Sequence, residues 1–172
     1  MSIEIRAVTV YQPWASLLGA PIGYTKSGKP KFAKNFETRS WATDYRGPIA
    51  IHAAARPVHE TLRLITDWAQ LRVISEALMQ IVYRGEPPEG MTWQTFSADL
   101  ERECAALPRR AVICVGELKA CHLITEELLE KIPVRERLVG DWTPGRYAWE
   151  IVKRRSQPPL TVNGAQGLWR WR

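Results

Sequence analysis

The segment from Glu37 to Trp41 brings acidic, basic and aromatic side chains close together. In an extended strand, residues two positions apart share one face, so Glu37, Arg39 and Trp41 are predicted to point to the same side. A carboxylate accepts N–H donors, a guanidinium binds anions and an indole stacks on flat rings, a combination that suits a nucleobase and its phosphate. The alternative interpretation is an ion pair between Glu37 and Arg39 that only stabilises the strand edge.

Four nearby side chains are further candidates, and two of them, Trp14 and His52, allow two interpretations. Tyr45 and Arg46 precede a Gly-Pro turn and are candidates for stacking on a base and binding a phosphate. Trp14 follows a proline at a helix start, where it either forms a wall of the pocket or anchors the helix to the sheet. His52 lies in an apolar strand and is interpreted as a core histidine bonded to backbone, with a proton shuttle as the alternative.

The composition is that of one folded domain with a basic surface. The chain has 172 residues, of which 45% are hydrophobic and 24% are charged, and this excludes a disordered chain. Its 24 lysines and arginines outnumber its 18 aspartates and glutamates, giving a net charge of +6. A basic surface attracts polyanions, so RNA, another nucleic acid or a nucleoside is the expected partner. The alternative is that the charge only keeps the protein soluble.

The cysteines and the N-terminus predict the compartment. Cys104, Cys114 and Cys121 are odd in number and form neither a C-x-x-C step nor a zinc-finger spacing with histidine. We therefore expect reduced thiols, no metal site and no cofactor. The N-terminus lacks the apolar region of a signal peptide, and no window has the length of a membrane span. These features predict a cytoplasmic protein with no membrane contact.

Hydrophobic periodicity and turn residues predict an α+β domain without an internal boundary. Apolar runs predict strands at residues 5–10, 35–40, 48–54, 111–120, 146–152 and 168–171. Apolar stripes at three- and four-residue steps predict helices at 57–83 and 92–106. Start and stop residues predict two shorter helices, at 12–19 between Pro and Gly and at 125–132 between the Thr125 cap and Pro133. Strands far apart in sequence must pair around the helices, so we expect one curved or closed sheet, with a bulge or a close ligand approach at Gly116-Glu117.

Residues 20–33 are rich in Gly, Pro and Lys and are predicted to form a mobile basic loop. Lys26, Lys29 and Lys31 either guide phosphates to the pocket or belong to a solvated insertion without a role.

Five segments occur in a defined order along the chain. They read QPWASLL at 12–18, KNFETRSW at 34–41, YRGPIAIHA at 45–53, VICVGELKAC at 112–121, and GRYAWE, PPL and NGAQGLW within 145–169. Together they resemble the ASCH domains of the PUA-like superfamily, small β-barrels associated with RNA. The resemblance implies one domain over residues 1–172: a barrel of about five to six strands with helices packed beside it, and a helical insertion at about 57–106.

The resemblance leaves the activity open, because fold alone does not determine function. Family members resemble RNA-binding modules, some relatives hydrolyse the acetyl amide of N4-acetylcytidine, and others are described as ribonucleases. In the hydrolase branch the chemistry is attributed to a lysine, a threonine three residues later and a downstream strand glutamate. By motif position these correspond to Lys34, Glu37 and Glu117, so a carboxylate replaces the hydroxyl. Lys31 is close enough in sequence to be the pocket lysine instead of Lys34.

Metal-independent amide hydrolysis needs a base for water, a proton donor for the amine and a positive group for the oxyanion. Glu37 or Glu117 would be the base and Lys34 the positive group. The leading hypothesis is nevertheless recognition without catalysis, in a pocket that binds RNA or a modified nucleobase or nucleoside. Its expected lining is Lys34, Glu37, Arg39, Trp41, Tyr45 and Glu117. A third alternative is an accessory domain that docks a protein partner through an exposed apolar stripe on helix 57–83.

Overall fold

The computed structural model describes residues 4–171 and combines a six-stranded mixed sheet with short helices and a small hairpin. The strands are β1 (Ile5–Val10), β2 (Gly23–Tyr24), β3 (Pro30–Lys31), β4 (Phe36–Arg39), β5 (Gly47–Ala53), β6 (Ala111–Leu123), β7 (Tyr147–Thr161) and β8 (Leu168–Trp171). The helices are α1 (Trp14–Gly19), α2 (Val58–Leu62), α3 (Trp68–Val82), α4 (Trp93–Ala98), α5 (Leu100–Glu103), α6 (Glu126–Lys131) and α7 (Val134–Arg137). Within residues 4–171, none of these helices combines the length and apolarity needed to cross a bilayer.

The predicted α+β class is confirmed, but the sheet is open. Its strand order is β4-β7-β6-β5-β1-β8, with β1 parallel to β5 and the other neighbours antiparallel. The expected barrel closure is wrong for the described residues, because β4 and β8 form the two edges of the sheet. A closed barrel would pair these two edges with each other. A side-chain hydrogen bond from Arg39 Nη2 to the carbonyl oxygen of Thr9, at 2.7 Å, links β4 to β1, the neighbour of the edge strand β8.

The predicted helix at 57–83 is two helices, α2 and α3. Residues 63–67 leave the helical path, and the Asp67 side chain then accepts a hydrogen bond from Gln70 N at 2.8 Å to start α3. The predicted helix at 92–106 is likewise divided into α4 and α5 at Asp99. The apolar stripe continues across both breaks, so periodicity alone predicts one helix where a capping aspartate starts a new one.

The strands β6 and β7 are longer than predicted, extending to Leu123 and Thr161. The predicted bulge at Gly116 is confirmed: the register between β6 and β7 shifts between Val115 and Glu117. A Cβ atom on Gly116 would lie 2.9 Å from the carbonyl oxygen of Val152. The close neighbour that requires glycine here is therefore the backbone of β7.

The helical region packs its apolar residues inward. Ile74 and Leu78 of α3 are fully buried together with Phe96 of α4 and Leu17 of α1. In the predicted stripe, Val58, Leu62 and Ala77 are buried in this cluster, and Ile65, Val73 and Ile81 are partly buried against it. This packing argues against an exposed stripe that docks a protein partner. Leu64 and Trp68, beside the helix break, are the large apolar side chains of this region that stay more than 70% exposed.

A buried carboxylate fixes the start of β4. Glu136 of α7 is 5% exposed and accepts hydrogen bonds from Asn35 N at 2.9 Å, Asn35 Nδ2 at 3.0 Å and Phe36 N at 3.1 Å. Trp142 Nε1 donates to the backbone oxygen of Glu136 at 3.1 Å. Glu136 therefore holds the segment that carries Lys34 and Glu37 at a defined position.

Replacing Glu136 with alanine is expected to lower the free energy of unfolding by about 1–3 kcal/mol, because the N–H groups of Asn35 and Phe36 lose their acceptor. Glu136→Gln keeps one acceptor oxygen and should lose less. Chemical denaturation measures the change. The control is Glu130→Ala, an exposed glutamate on α6, which should stay within about 0.5 kcal/mol of the parent protein. Equal losses at Glu130 and Glu136 would contradict the assignment.

Candidate functional site

Three charged side chains meet beside β4, and we call Lys34, Glu37 and Arg39 the charged triad. Lys34 Nζ lies 3.6 Å from Glu37 Oε2, and Arg39 Nε lies 3.0 Å from Glu37 Oε1. The second contact is an ion pair whose angle is too bent for a hydrogen bond, since Arg39 Nε has no hydrogen-bond partner. Glu37 is 7% exposed, so the arrangement is largely buried, and the ion pair between Glu37 and Arg39 is present on the edge strand β4.

Lys34, and not Lys31, is the lysine of the site. Lys34 is 1% exposed and its backbone N–H donates to Leu17 O at 3.1 Å, whereas Lys31 is exposed on β3. Gly140 makes room for the ammonium group, because a Cβ atom there would lie 3.1 Å from Lys34 Nζ. Burial lowers the pKa of Lys34 below its ordinary value, and the charges of Glu37 and Glu136 oppose that shift.

Two cavities flank the triad and share a wall made by Tyr11, Trp14, Glu37 and Arg39. The triad cavity, of about 570 Å³, also contacts Lys34 and Trp41. The tail cavity, of about 650 Å³, extends from the same wall towards residues 163–166. Both volumes fall in the range of ~300–1,000 Å³ that is typical of small-molecule sites.

The triad cavity combines aromatic walls with polar groups. Trp41 packs edge-on against the buried Trp149, with ring centroids 4.7 Å apart and an interplanar angle of 88°. This contact holds the Trp41 indole in one orientation. The polar lining residues include Thr38, Ser40, Gln70, Asp141 and Arg146. Such a mixture of flat surfaces and hydrogen-bonding groups matches the shape and edges of a heterocyclic base.

Five of the predicted site residues therefore come together: Trp14, Lys34, Glu37, Arg39 and Trp41. The predicted convergence of Glu117 with them is wrong. Its carboxylate pairs with Lys153 Nζ at 2.8 Å and borders a different cavity, which shares no lining residue with the triad cavity. Because Leu118 points into the core, its neighbour Glu117 points to the opposite face of β6.

Tyr45 and Arg46 also lie outside both cavities, contrary to prediction. The Tyr45 hydroxyl donates to Pro48 O at 2.6 Å, and Arg46 Nη1 donates to Thr43 O at 2.9 Å. Both side chains stabilise their own turn, which uses the same hydrogen-bonding groups that a ligand would need. The alternation of side chains that places Glu37, Arg39 and Trp41 on one side does not extend to Tyr45 and Arg46, because these two residues lie in a turn.

Sequence reasoning missed several lining residues: Tyr11, Gln70, Arg110, Arg146 and the segment 163–166. Tyr11 immediately precedes the QPW motif and Arg146 lies within the GRYAWE motif, so a signal existed for both. Gln70 comes from the helical region and Arg110 from the start of β6, where no sequence pattern indicates contact with the triad. Their positions depend on tertiary packing.

His52 is confirmed as a core histidine bonded to backbone. It is 2% exposed, and its Nε2 lies 2.9 Å from Val162 O.

Burial raises the pKa of the Cys114 thiol to about 11, which leaves it protonated and unreactive near neutral pH. Among residues 4–171, no group of three or more His, Cys, Asp or Glu side chains is arranged to hold a metal ion.

Comparison of the chain with protein-family models and with curated protein sequences found no match. The ASCH resemblance therefore rests on the sequence motifs.

Titration of Lys34 should show a midpoint below 10.5, the ordinary value for lysine. The folded protein then releases this proton at a lower pH than the unfolded chain does. Between these two pKa values the unfolded state binds more protons, so the stability of the parent protein relative to Lys34→Met should rise with pH. Below the lower pKa both states hold the proton and the difference is constant. The carbon-13 shift of Lys34 Cε gives the midpoint.

Lys31→Met is the control for the stability measurement, because it removes an exposed lysine outside both cavities and should stay within about 0.5 kcal/mol of the parent protein. A Lys34 midpoint at or above 10.5 would contradict the assigned effect of burial.

Proposed function

We propose that the chain is an ASCH-type member of the PUA-like superfamily, with an open sheet, that binds a nucleobase of RNA or a nucleoside in the triad cavity. One observation carries the proposal: a buried charged triad forms the floor of a nucleoside-sized cavity whose walls include Trp14 and Trp41. The sequence motifs support the family, since three of them contribute Trp14, the triad and Arg146 to that cavity.

The lining suits the edge of a base as well as its faces. The Lys34 ammonium group donates hydrogen bonds, while the side chains of Thr38 and Gln70 both donate and accept. Thr38 Oγ1 already accepts from Asp141 N at 3.1 Å, which orients its hydroxyl proton away from that backbone group. Polar contacts in a partly buried site are stronger than in water, so a ligand with matching donors and acceptors is selected.

Charge favours a ligand that carries phosphate. The two cavities together are lined by four cationic side chains, Lys34, Arg39, Arg110 and Arg146, and by two carboxylates, Glu37 and Asp141. Both carboxylates are paired, since Glu37 contacts Lys34 and Arg39, and Asp141 Oδ2 lies 3.2 Å from Arg146 Nε. The excess positive charge attracts the anionic backbone of a nucleic acid.

Tyr11 gives the sharpest test, because it lines both cavities and is 57% exposed, so its removal spares the core. Tyr11→Ala is expected to weaken binding of ribonucleosides and short RNAs by about 1–3 kcal/mol, the usual effect of losing one stacking ring. Isothermal titration calorimetry with a panel of standard and modified ribonucleosides and short single strands measures it.

Tyr24→Ala is the matched control, since Tyr24 is 64% exposed and borders the separate cavity beside Glu117. It should leave the affinity unchanged. No binding by any member of the panel, or the same loss from both variants, would overturn the proposal.

A second candidate, hydrolysis of an acylated cytidine, is favoured by one observation: the buried Lys34, with its lowered pKa, lies beside a carboxylate. In this reaction water adds to the acetyl carbonyl, the bond from carbon to N4 breaks, and acetate and cytidine form as protons pass from water to the amine. The geometry favours recognition over this chemistry. Both Glu37 oxygens are engaged by cations, and Glu117 is too far away to act as the second carboxylate.

Incubation with N4-acetylcytidine decides between the two candidates. We expect no cytidine above the uncatalysed rate, measured by chromatography. If cytidine forms, and Lys34→Met abolishes it while the matched variant Lys31→Met does not, the binding-only proposal is wrong. The same assay with single-stranded RNA tests for strand cleavage, which would indicate a ribonuclease.

A further inference from the structure

The tail cavity is a second built site that the proposed base pocket does not use. Its lining runs from the end of β1, Val10, through Ala54 and Ala55 to Arg110, and is completed by residues 163–166. We call residues 162–167 the tail loop. Its lining combines small apolar residues with the aromatic rings of Tyr11 and Trp14 and the side-chain amides of Asn163 and Gln166.

The tail loop is held against the sheet by several contacts. Thr9 Oγ1 donates to Ala165 O at 2.9 Å, Val162 N donates to Arg110 O at 3.0 Å, and His52 bonds Val162 O. Gly164 packs so closely that a Cβ atom there would lie 2.6 Å from His52 Nδ1 and 2.7 Å from Thr9 Oγ1. The wall of the cavity is therefore formed before any ligand binds.

Arg110 supplies an available positive charge in this cavity. Its side chain is exposed, and within residues 4–171 it takes part in no ion pair or side-chain hydrogen bond. Its backbone is fixed by the bond from Val162 N and has a positive φ of 50°. The one carboxylate that lines the cavity, Glu37, is already paired with Lys34 and Arg39. A planar guanidinium without a partner is suited to a phosphate.

The two cavities adjoin along the wall that contains Tyr11 and Trp14, and each has the volume of a nucleoside site. We propose that they bind two consecutive nucleotides of one RNA strand, with the first base in the triad cavity, the second in the tail cavity and a backbone phosphate on Arg110. This inference rests on the proposed function. The ligand class is then a single strand of at least two nucleotides.

The experiment compares ribonucleosides, their 3′- and 5′-monophosphates and the ribodinucleoside monophosphates by calorimetry at fixed salt. We expect the best dinucleoside monophosphate to bind about tenfold or more tightly than its first nucleoside, from one added charge-assisted contact and one added stacked base. Arg110→Gln should remove most of that gain. Arg84→Gln is the matched control, since Arg84 is exposed, has a φ of 53° and lies outside both cavities.

A second variant, Gly164→Ala, tests the cavity itself, because the added methyl group displaces the tail loop from His52 and Thr9. It should lower dinucleotide affinity and spare nucleoside affinity. Monophosphates that bind as tightly as dinucleotides would show a phosphate site without a second base site and overturn the inference. Nucleoside binding with no gain from a second nucleotide would overturn it as well and leave the proposed function standing. Absence of binding by every probe would overturn both.

Discussion

The burial of the Lys34 ammonium group is the constraint on which the site depends. An isolated buried charge costs several kcal/mol, about the whole stability margin of a small domain, unless partners compensate it. Here Glu37 lies within 3.6 Å and Glu136 contributes its charge from α7. Each partner is itself held in place, Glu37 by Arg39 and Glu136 by the backbone at Asn35. The positive charge of Lys34 therefore requires Glu37 of β4 and Glu136 of α7 to lie near it, and Gly140 leaves room for its ammonium group.

The charged triad lies beside β4, an edge strand of the open sheet, and this position leaves Glu37 and Arg39 next to both cavities. Between β4 and β1 the backbone ladder is absent, and Arg39 spans the gap with one hydrogen bond to Thr9 O. Arg39 therefore serves both the fold, as a bridge, and the site, as a partner of Glu37. Such shared use explains why a charged side chain is 24% exposed at the boundary between core and cavity.

The sequence allowed the triad to be predicted because its geometry is local. Alternation along one short strand puts Glu37 and Arg39 on the same side, and Lys34 lies just before that strand. Glu117 could not be assigned in this way, since its direction depends on a bulge and on which neighbour enters the core. The six strands of the large sheet were predicted at the right places, whereas the β2–β3 hairpin lies in the segment 20–33 that was predicted to be a loop. The helix breaks and the open edge follow from capping and tertiary packing that periodicity does not record.

Gln70 is the contribution of helices α2–α5 to the triad cavity within the described part of the chain. The floor and the aromatic walls come from β4, α1 and the loops that adjoin them, while the helical region supplies one rim amide on α3. Ligand preference at that rim is therefore separable from the chemistry beneath it. A substitution at Gln70 alone can alter selectivity at the rim while all three members of the charged triad remain in place.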